Sequence, residues 1–347
     1  MPDFISDLAI RLTDAAFRNY AGNDDPLRFP AGIEAAPEPS MEEALQMMGW
    51  VRDLAAPLNF TYALLADDYS RRVFLDVMAY RILGHRRVKL SRHDQTYQSA
   101  VASLPSLATK EKTVPVTLLD GWLNHYKLQP LGFAIEADLH PLNVLYTYQL
   151  QQYRYHHDGA VVEPKAGDIA IDGGGCWGDT ALYLADRVGQ TGRVYCFEFS
   201  PDNLPTLEAN LSHNPKLKDR VHLQKHALWS HTGETFSFNP AGPGTRLGNA
   251  GSFTTTTLTI DDLAARERLP RVDFIKMDIE GAELDALKGA EQTIRSHRPR
   301  LAVTLYHRLQ DFATIPRFIH DLDLGYRFYV DHFSINHEET VMFASAS

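Results

Sequence analysis

The chain has 347 residues, 44% of them hydrophobic, and carries 44 acidic against 34 basic residues for a formal charge of −10. That apolar share supports a sizeable core and argues against a disordered chain, and the acidic balance argues against a nucleic-acid surface, which needs clustered Lys and Arg. The two cysteines, Cys176 and Cys196, indicate neither a disulfide framework nor a thiolate zinc site, and no window reaches the roughly 18 apolar residues of a membrane span.

The opening Met-Pro-Asp-Phe-Ile-Ser-Asp lacks the positive charge and apolar run of a signal peptide, so the expectation is a cytoplasmic protein with no membrane partner. Phe4, Leu8, Leu12, Ala15 and Ala16 predict an amphipathic first helix, and the Pro-, Gly- and Asp-rich stretch Asn23 to Ser40 predicts a loop. Ser40, with Glu43 three residues on, reads as the capped start of a helix to about Ala55. Tyr62 to Leu83 reads as a third helix, with Leu65, Tyr69, Val73 and Val77 recurring every four residues. Lys89 to Asp138 gives no assignment. Tyr146, Tyr148 and Leu150 alternate, as do Tyr153 and Tyr155, which predicts strands and places a domain boundary near 135 to 155. A mainly helical N-terminal domain, 1–145, would then shape the acceptor side of a second domain, 146–347.

From Gly167 strands and helices alternate, the pattern of a parallel sheet with crossover helices. Strands are expected at Asp168–Asp172, Val194–Phe199, Val221–Leu228, Val272–Asp278 and, after Pro299 and Arg300, through Tyr306, with helices at Asp179–Val188, Pro201–Leu211, from Gly281 to near Ser296 and on to about Leu322. Asn239 to Thr257 reads as a mobile surface loop, or as a lid over the site. Tyr326–Phe333 and Glu339–Phe343, joined by a short turn, form an antiparallel pair.

Ile169 to Thr180 is a buried strand that breaks into a glycine turn and reopens as a helix. Gly173, Gly175 and Gly178 show the Gly-x-Gly-x-x-Gly spacing that lets a ligand approach backbone at a helix start. Asp172 at the strand tip repels a pyrophosphate and suits a ligand with ammonium and sulfonium groups, which favours S-adenosylmethionine over a dinucleotide.

Four pieces resemble the FkbM-type methyltransferases: Gly-Asp-Ile-Ala-Ile-Asp-Gly-Gly-Gly-Cys-Trp-Gly-Asp-Thr at 167–180, Val-Tyr-Cys-Phe-Glu-Phe-Ser-Pro at 194–201, Phe-Ile-Lys-Met-Asp-Ile-Glu-Gly-Ala-Glu at 274–283, and the tail from Leu301 through Tyr306-His307 to Thr340-Val341. The resemblance runs over about 155 to 345, and Asp67 to Leu83 resembles an upstream segment of some members. It implies a class I (Rossmann-like) α/β fold with a C-terminal antiparallel hairpin and S-adenosylmethionine as methyl donor. It also implies O-methylation of a hydroxyl on a natural product, sugar or lipid, a small-molecule acceptor. The chain departs from the family at Glu-Phe-Ser-Pro, where many members have Glu-Pro.

Asp172, Gly173, Gly174, Gly175 and Thr180 are assigned to the methionine end of the donor. Glu198 is assigned to the ribose hydroxyls, Phe199 to stacking on adenine, and Ala227, beside His226, to the adenine edge through backbone. Methyl transfer to an alcohol requires in-line approach and loss of the hydroxyl proton. His307, as a neutral imidazole, is the expected base. Asp278 would orient it or the acceptor, and His332 is a further candidate on the same edge. Glu280 and Glu283 flank Gly281. A metal held by Asp278, His307 and His332 ranks below direct acid/base work. A nicotinamide-dependent oxidoreductase and a non-catalytic cofactor-binding interaction protein are the alternatives.

Overall fold

The structure, a computed structural model, describes residues 2–20, 23, 25, 27–28, 39–116 and 121–346. The chain opens with four helices, α1 (Phe4–Ala16), α2 (Met41–Asp53), α3 (Ala55–Leu64) and α4 (Asp68–Leu83). The capping box expected at Ser40 and Glu43 is formed, and most of the expected loop from Asn23 to Ser40 lies outside the described residues. The helix expected from Tyr62 to Leu83 is two helices. Leu65 turns extended and bridges to Phe328, and Asp67 starts α4 afresh by accepting from the Ser70 amide at 2.8 Å.

The stretch without assignment holds α5 (Gln95–Leu107) and an antiparallel sheet of β1 (Ala108–Pro115), β2 (Trp122–Lys127) and β3 (Glu136–Leu139). The tyrosine alternation predicted a strand at 146–150. Instead a short α6 (Pro141–Asn143) runs into a π-helical turn, Val144–Gln149, followed by the hairpin β4 (Tyr155–His157) and β5 (Ala160–Val162). Val144 to Tyr148 are buried without a break, so alternation there carried no information about a wet face.

The remainder winds as β6 (Ile169–Gly173), α7 (Asp179–Val188), β7 (Arg193–Phe197), α8 (Leu204–His213), α9 (Pro215–Lys218), β8 (Val221–Gln224) and β9 (Ala227–Leu228). Next come β10 (Thr235–Phe238), β11 (Phe253–Leu258), α10 (Ile260–Arg266), β12 (Phe274–Met277), α11 (Glu283–Lys288), α12 (Glu291–His297), β13 (Arg300–Thr304), α13 (Asp311–Asp321), β14 (Tyr326–His332) and β15 (Thr340–Ala346). A seven-stranded sheet runs β14-β15-β13-β12-β6-β7-β8. Its pairs are parallel except where β15 runs against β13 and β14, so the expected hairpin supplies one reversed strand.

Two sequence expectations change here. The third strand, Val221–Leu228, is interrupted, because β9 leaves the sheet to pair with β11. The Thr run read as loop is β11, paired antiparallel with β10, so only 239–252 stay outside the hairpin's strands.

The central strands are buried on both faces, which is why β7 and β13 read as apolar runs. Along each strand alternate residues enter two different cores. Ile169, Ile171, Tyr195, Ile275, Met277, Leu301 and Val303 pack with Phe4, Val73, Phe74 and Val77 of the N-terminal helices. Ala170, Val194, Cys196, Phe274 and Ala302 pack on the other face with Tyr126, Leu139, Tyr148 and Trp177. Both cores therefore run across the boundary expected near 135–155. Among the described residues no helix is long and apolar enough to cross a membrane.

Candidate active site at the carboxyl edge of the sheet

A cavity of about 570 Å³ opens where β6, β7, β12 and β13 end, the edge at which open α/β sheets bind ligands. The glycine turn forms its floor. Gly174 has φ +85°, and a Cβ there would stand 2.0 Å from the Asp278 carbonyl oxygen; at Gly175 it would stand 2.3 Å from Cys196 Sγ. These residues are glycine so that the turn can pass between the ends of β12 and β7. Gly174 faces the cavity, whereas Gly173 and Gly175 do not line it.

Asp172 is fully buried and does not line the cavity, which corrects the expectation that it meets the ligand's ammonium. Its cationic partner is internal. Lys276 Nζ lies 3.0 Å from Asp172 Oδ1 and also donates to the Gly173 and Gly174 carbonyls at 2.8 and 2.7 Å. Thr180 Oγ1 donates to the same carboxylate at 2.9 Å. The pair thus braces the turn from beneath. The carboxylate that does reach the cavity here is Asp179, at the first position of α7, held by the Thr147 hydroxyl at 2.8 Å and pushed up in pKa by burial. Sequence reasoning passed over it, although a carboxylate opening the helix after the third glycine was the available signal.

Glu198 lines the cavity at the end of β7, as expected. Its Oε1 accepts from the Phe199 and Ser200 amides at 2.8 and 2.6 Å, and its Oε2 from the Cys176 amide at 2.9 Å and Asn203 Nδ2 at 3.3 Å. The Phe-Ser insertion into Glu-Pro thus supplies two of the amides that hold this carboxylate. Burial raises its pKa to about 7 against these donors. Asn203 Oδ1, buried beside it, has no hydrogen-bond partner among the described residues. Phe199 and Ala227 also line the cavity; the Phe199 ring packs edge-on against Phe238 at 4.9 Å. From the loop between β10 and β11, Gly242 to Leu247 line the cavity as well.

At the other end stand Asp278 and His307. Asp278 accepts from the Tyr153 hydroxyl at 2.9 Å and the Tyr306 hydroxyl at 3.2 Å, two partners the sequence reading did not name. His307 Nδ1 lies 2.9 Å from Glu283 Oε1, which also accepts from the Ile279 amide and Thr304. Nε2 lies 3.4 Å from Asp278 and 3.6 Å from Glu280, within ion-pair reach but without a hydrogen bond of its own. Burial alone would lower the His307 pKa, but the carboxylates of Glu280, Glu283 and Asp278 outweigh it and hold it up at about 11. The ring is therefore an imidazolium at neutral pH, and the expectation of a neutral base at His307 is corrected. Asp278 is raised by burial, with His307 and Lys276 pulling the other way.

His332 is not part of this edge. It is buried in the hairpin, 2.8 Å from Thr340 Oγ1 and 3.2 Å from Ser334 Oγ, and burial lowers its pKa to about 3, so it braces β14 and β15 as a neutral ring. Asp278, Glu283 and His307 lie close enough together to hold a metal ion. His332, the third ligand considered from the sequence, is not among them.

The description "Methyltransferase FkbM domain" matches residues 157–328. These residues belong to the FkbM methyltransferase family. The FkbM domain thus contains the glycine turn, Glu198, Asp278 and His307, while Arg81, His140 and Glu339 reach the cavity from outside it. A methyltransferase FkbM structure from Methylobacillus flagellatus KT superposes with a TM-score of 0.55 at 19% identity, over 85% of this chain and 60% of that one, which shows the class I fold. The hexuronic acid methyltransferase AglP of Haloferax volcanii is 30% identical over 138 residues, 39% of this chain. The match spans about half of that relative, 54% of its length.

Proposed function

We propose that the chain is an S-adenosylmethionine-dependent O-methyltransferase acting on a hydroxyl of a small, sugar-type acceptor. One observation carries the reading: Glu198, after the end of β7, and Asp278, after the end of β12, line one cavity at the carboxyl edge of the sheet. The residues fit the donor. Glu198 and the unpartnered Asn203 Oδ1 offer acceptors to ribose hydroxyls, Phe199, Ala227 and Leu228 offer apolar surface to adenine, and the Asp179 carboxylate offers a counter-charge to an ammonium. The same carboxylates would repel the pyrophosphate of a nicotinamide dinucleotide. When bound, S-adenosylmethionine supplies an electrophilic methyl group on a sulfonium.

The chain's own residues supply position and a place for the proton. Asp278, fixed by two tyrosine hydroxyls, accepts a hydrogen bond from the acceptor hydroxyl and takes its proton as the oxygen forms its new bond to carbon. His307 acts through Asp278, as the cation that keeps three neighbouring carboxylates compatible. The sugar-type acceptor rests on the AglP relative.

Titration with S-adenosylhomocysteine across pH tests the donor end. Ribose hydroxyls donate to the ionised form of Glu198, whose pKa stands at about 7, so affinity is full above pH 7 and falls as pH drops through it. Calorimetry is expected to give a Kd about three- to tenfold weaker at pH 6 than at pH 8, a flat profile in Glu198→Gln, and no binding of NAD. Equal affinity at both pH values in the wild type would remove Glu198 from the ribose. Binding of NAD in place of S-adenosylhomocysteine would overturn the methyltransferase reading.

A further inference from the structure

The cations around the cavity differ in what neutralises them. Arg28 is paired with Glu338 and, at 2.7 Å, with Glu339; Lys276 with Asp172 at 3.0 Å; Arg246 with Glu280 at 3.0 Å; and His307 with Glu283 at 2.9 Å. Arg81 has no such partner among the described residues. It projects from the last turn of α4, and its Nη2 donates to the backbone carbonyls of Tyr306 at 3.1 Å and His337 at 2.9 Å. Its guanidinium lies over the Phe312 ring at 5.3 Å, Nε is buried without a partner, and the side chain lines the cavity. Burial lowers its pKa, with only the more distant charge of Glu338 opposing, as fits a guanidinium that no carboxylate neutralises.

A buried charge without a counter-ion is costly, and a ligand that completes the pair removes that cost. Tyr306 joins the two parts of the site. Its carbonyl anchors Arg81, its hydroxyl binds Asp278, and the next residue is His307. We infer that Arg81 binds a carboxylate on the methyl acceptor and thereby selects a sugar acid over a neutral sugar. The inference rests on the methyltransferase reading and adds to it a recognition residue from outside the FkbM domain. A monoanion fits better than a phosphate. Arg28 is already shared between two glutamates, and Glu280, Glu338 and Glu339 also line the cavity, so among the described residues a dianion would meet one cation without a carboxylate partner and several carboxylates. The guanidinium is also planar, fixed and always charged, which suits a planar carboxylate.

The test uses the full chain saturated with S-adenosylhomocysteine and titrated with methyl glucuronide, methyl glucoside and glucose 6-phosphate. The first two differ only in the carboxylate. Methyl glucuronide is expected to bind about tenfold or more tightly than methyl glucoside, as for a charge-assisted contact, and more tightly than glucose 6-phosphate. Arg81→Met is expected to remove that preference while affinity for S-adenosylhomocysteine and for methyl glucoside stays, and Arg81→Lys to recover part of it. The melting temperature of Arg81→Met should fall only slightly, because the Tyr306 and His337 carbonyls lose a donor but no carboxylate loses its partner. Equal binding of the two glycosides by the wild type, no binding of either, a preference for the phosphate, or a preference that survives Arg81→Met would each overturn the assignment. So would an Arg81→Met variant that melts lower and loses both glycosides alike, since that marks a structural arginine. Failure of S-adenosylhomocysteine to bind at the first step would instead overturn the methyltransferase reading beneath it.

Discussion

Asp278→Asn is expected to lower turnover by roughly 10² to 10⁴ while leaving affinity for S-adenosylhomocysteine within about threefold of wild type. The substitution keeps the shape of the side chain; the two tyrosine hydroxyls sit on different oxygens of Asp278, so one still donates to the amide oxygen and the other turns to accept from the amide NH2. What it removes is the group proposed to take the acceptor's proton. The neighbouring imidazole cannot replace it, because His307 is already protonated, with a pKa of about 11. For the same reason kcat should show no titration near pH 6.5, where an ordinary histidine base would appear. The His307 pKa also predicts how stability changes with pH. Because the folded value lies above the unfolded one of 6.5, its contribution is full below pH 6.5 and is lost as pH rises towards 11. Single-turnover rates of wild type and Asp278→Asn between pH 6 and 9 measure the effects on rate, and denaturant melts of the wild type from pH 6 to 11 the effect on stability. A near-wild-type rate in the variant would leave His307 or proximity alone to account for transfer.

Lys276→Met should cost about 3 to 5 kcal/mol of folding stability, a drop of roughly 4 to 7 °C in melting temperature for a chain of this length. Lys276 and Asp172 are both almost wholly buried, so removing the ammonium strands a carboxylate in the core and frees two turn carbonyls from their donor. Replacing both partners removes the stranded charge, so the double variant Lys276→Met with Asp172→Asn should recover most of the loss. Thermal and denaturant melts of the two variants decide this. A single variant within 1 kcal/mol of wild type would mean the pair contributes little to the turn.

The central strands were legible because both their faces are buried. Uninterrupted apolar runs at Ile169–Ile171, Val194–Phe197 and Leu301–Val303 have no other stable use in a chain whose helices alternate with them. Glu198 and Asp278 were legible because each ends such a run. Features set by distant partners could not be read. Asp172 was given to a ligand because nothing next to it in sequence shows that Lys276, on the neighbouring strand, fills its site. The charge on His307 depends on three carboxylates from the 278–283 turn acting together, which spacing does not reveal. Tyr146 and Tyr148 misled for a different reason: two-residue alternation signals a strand only where one face is wet, and theirs are both dry. Arg81, far from the domain motifs in sequence, is tied to the site only through the fold, by the Tyr306 carbonyl it holds.

The central claim is that this cavity transfers a methyl group to oxygen, and the direct measurement is incubation of the purified chain with labelled S-adenosylmethionine and a sugar-acid glycoside, followed by mass and fragment analysis of the product. The account predicts an acceptor one methyl group heavier, with the label on oxygen, formed with one S-adenosylhomocysteine per turnover and strongly slowed in Asp278→Asn. Label on nitrogen or carbon would contradict it. So would S-adenosylmethionine bound in the cavity but never consumed across neutral and acidic sugar acceptors.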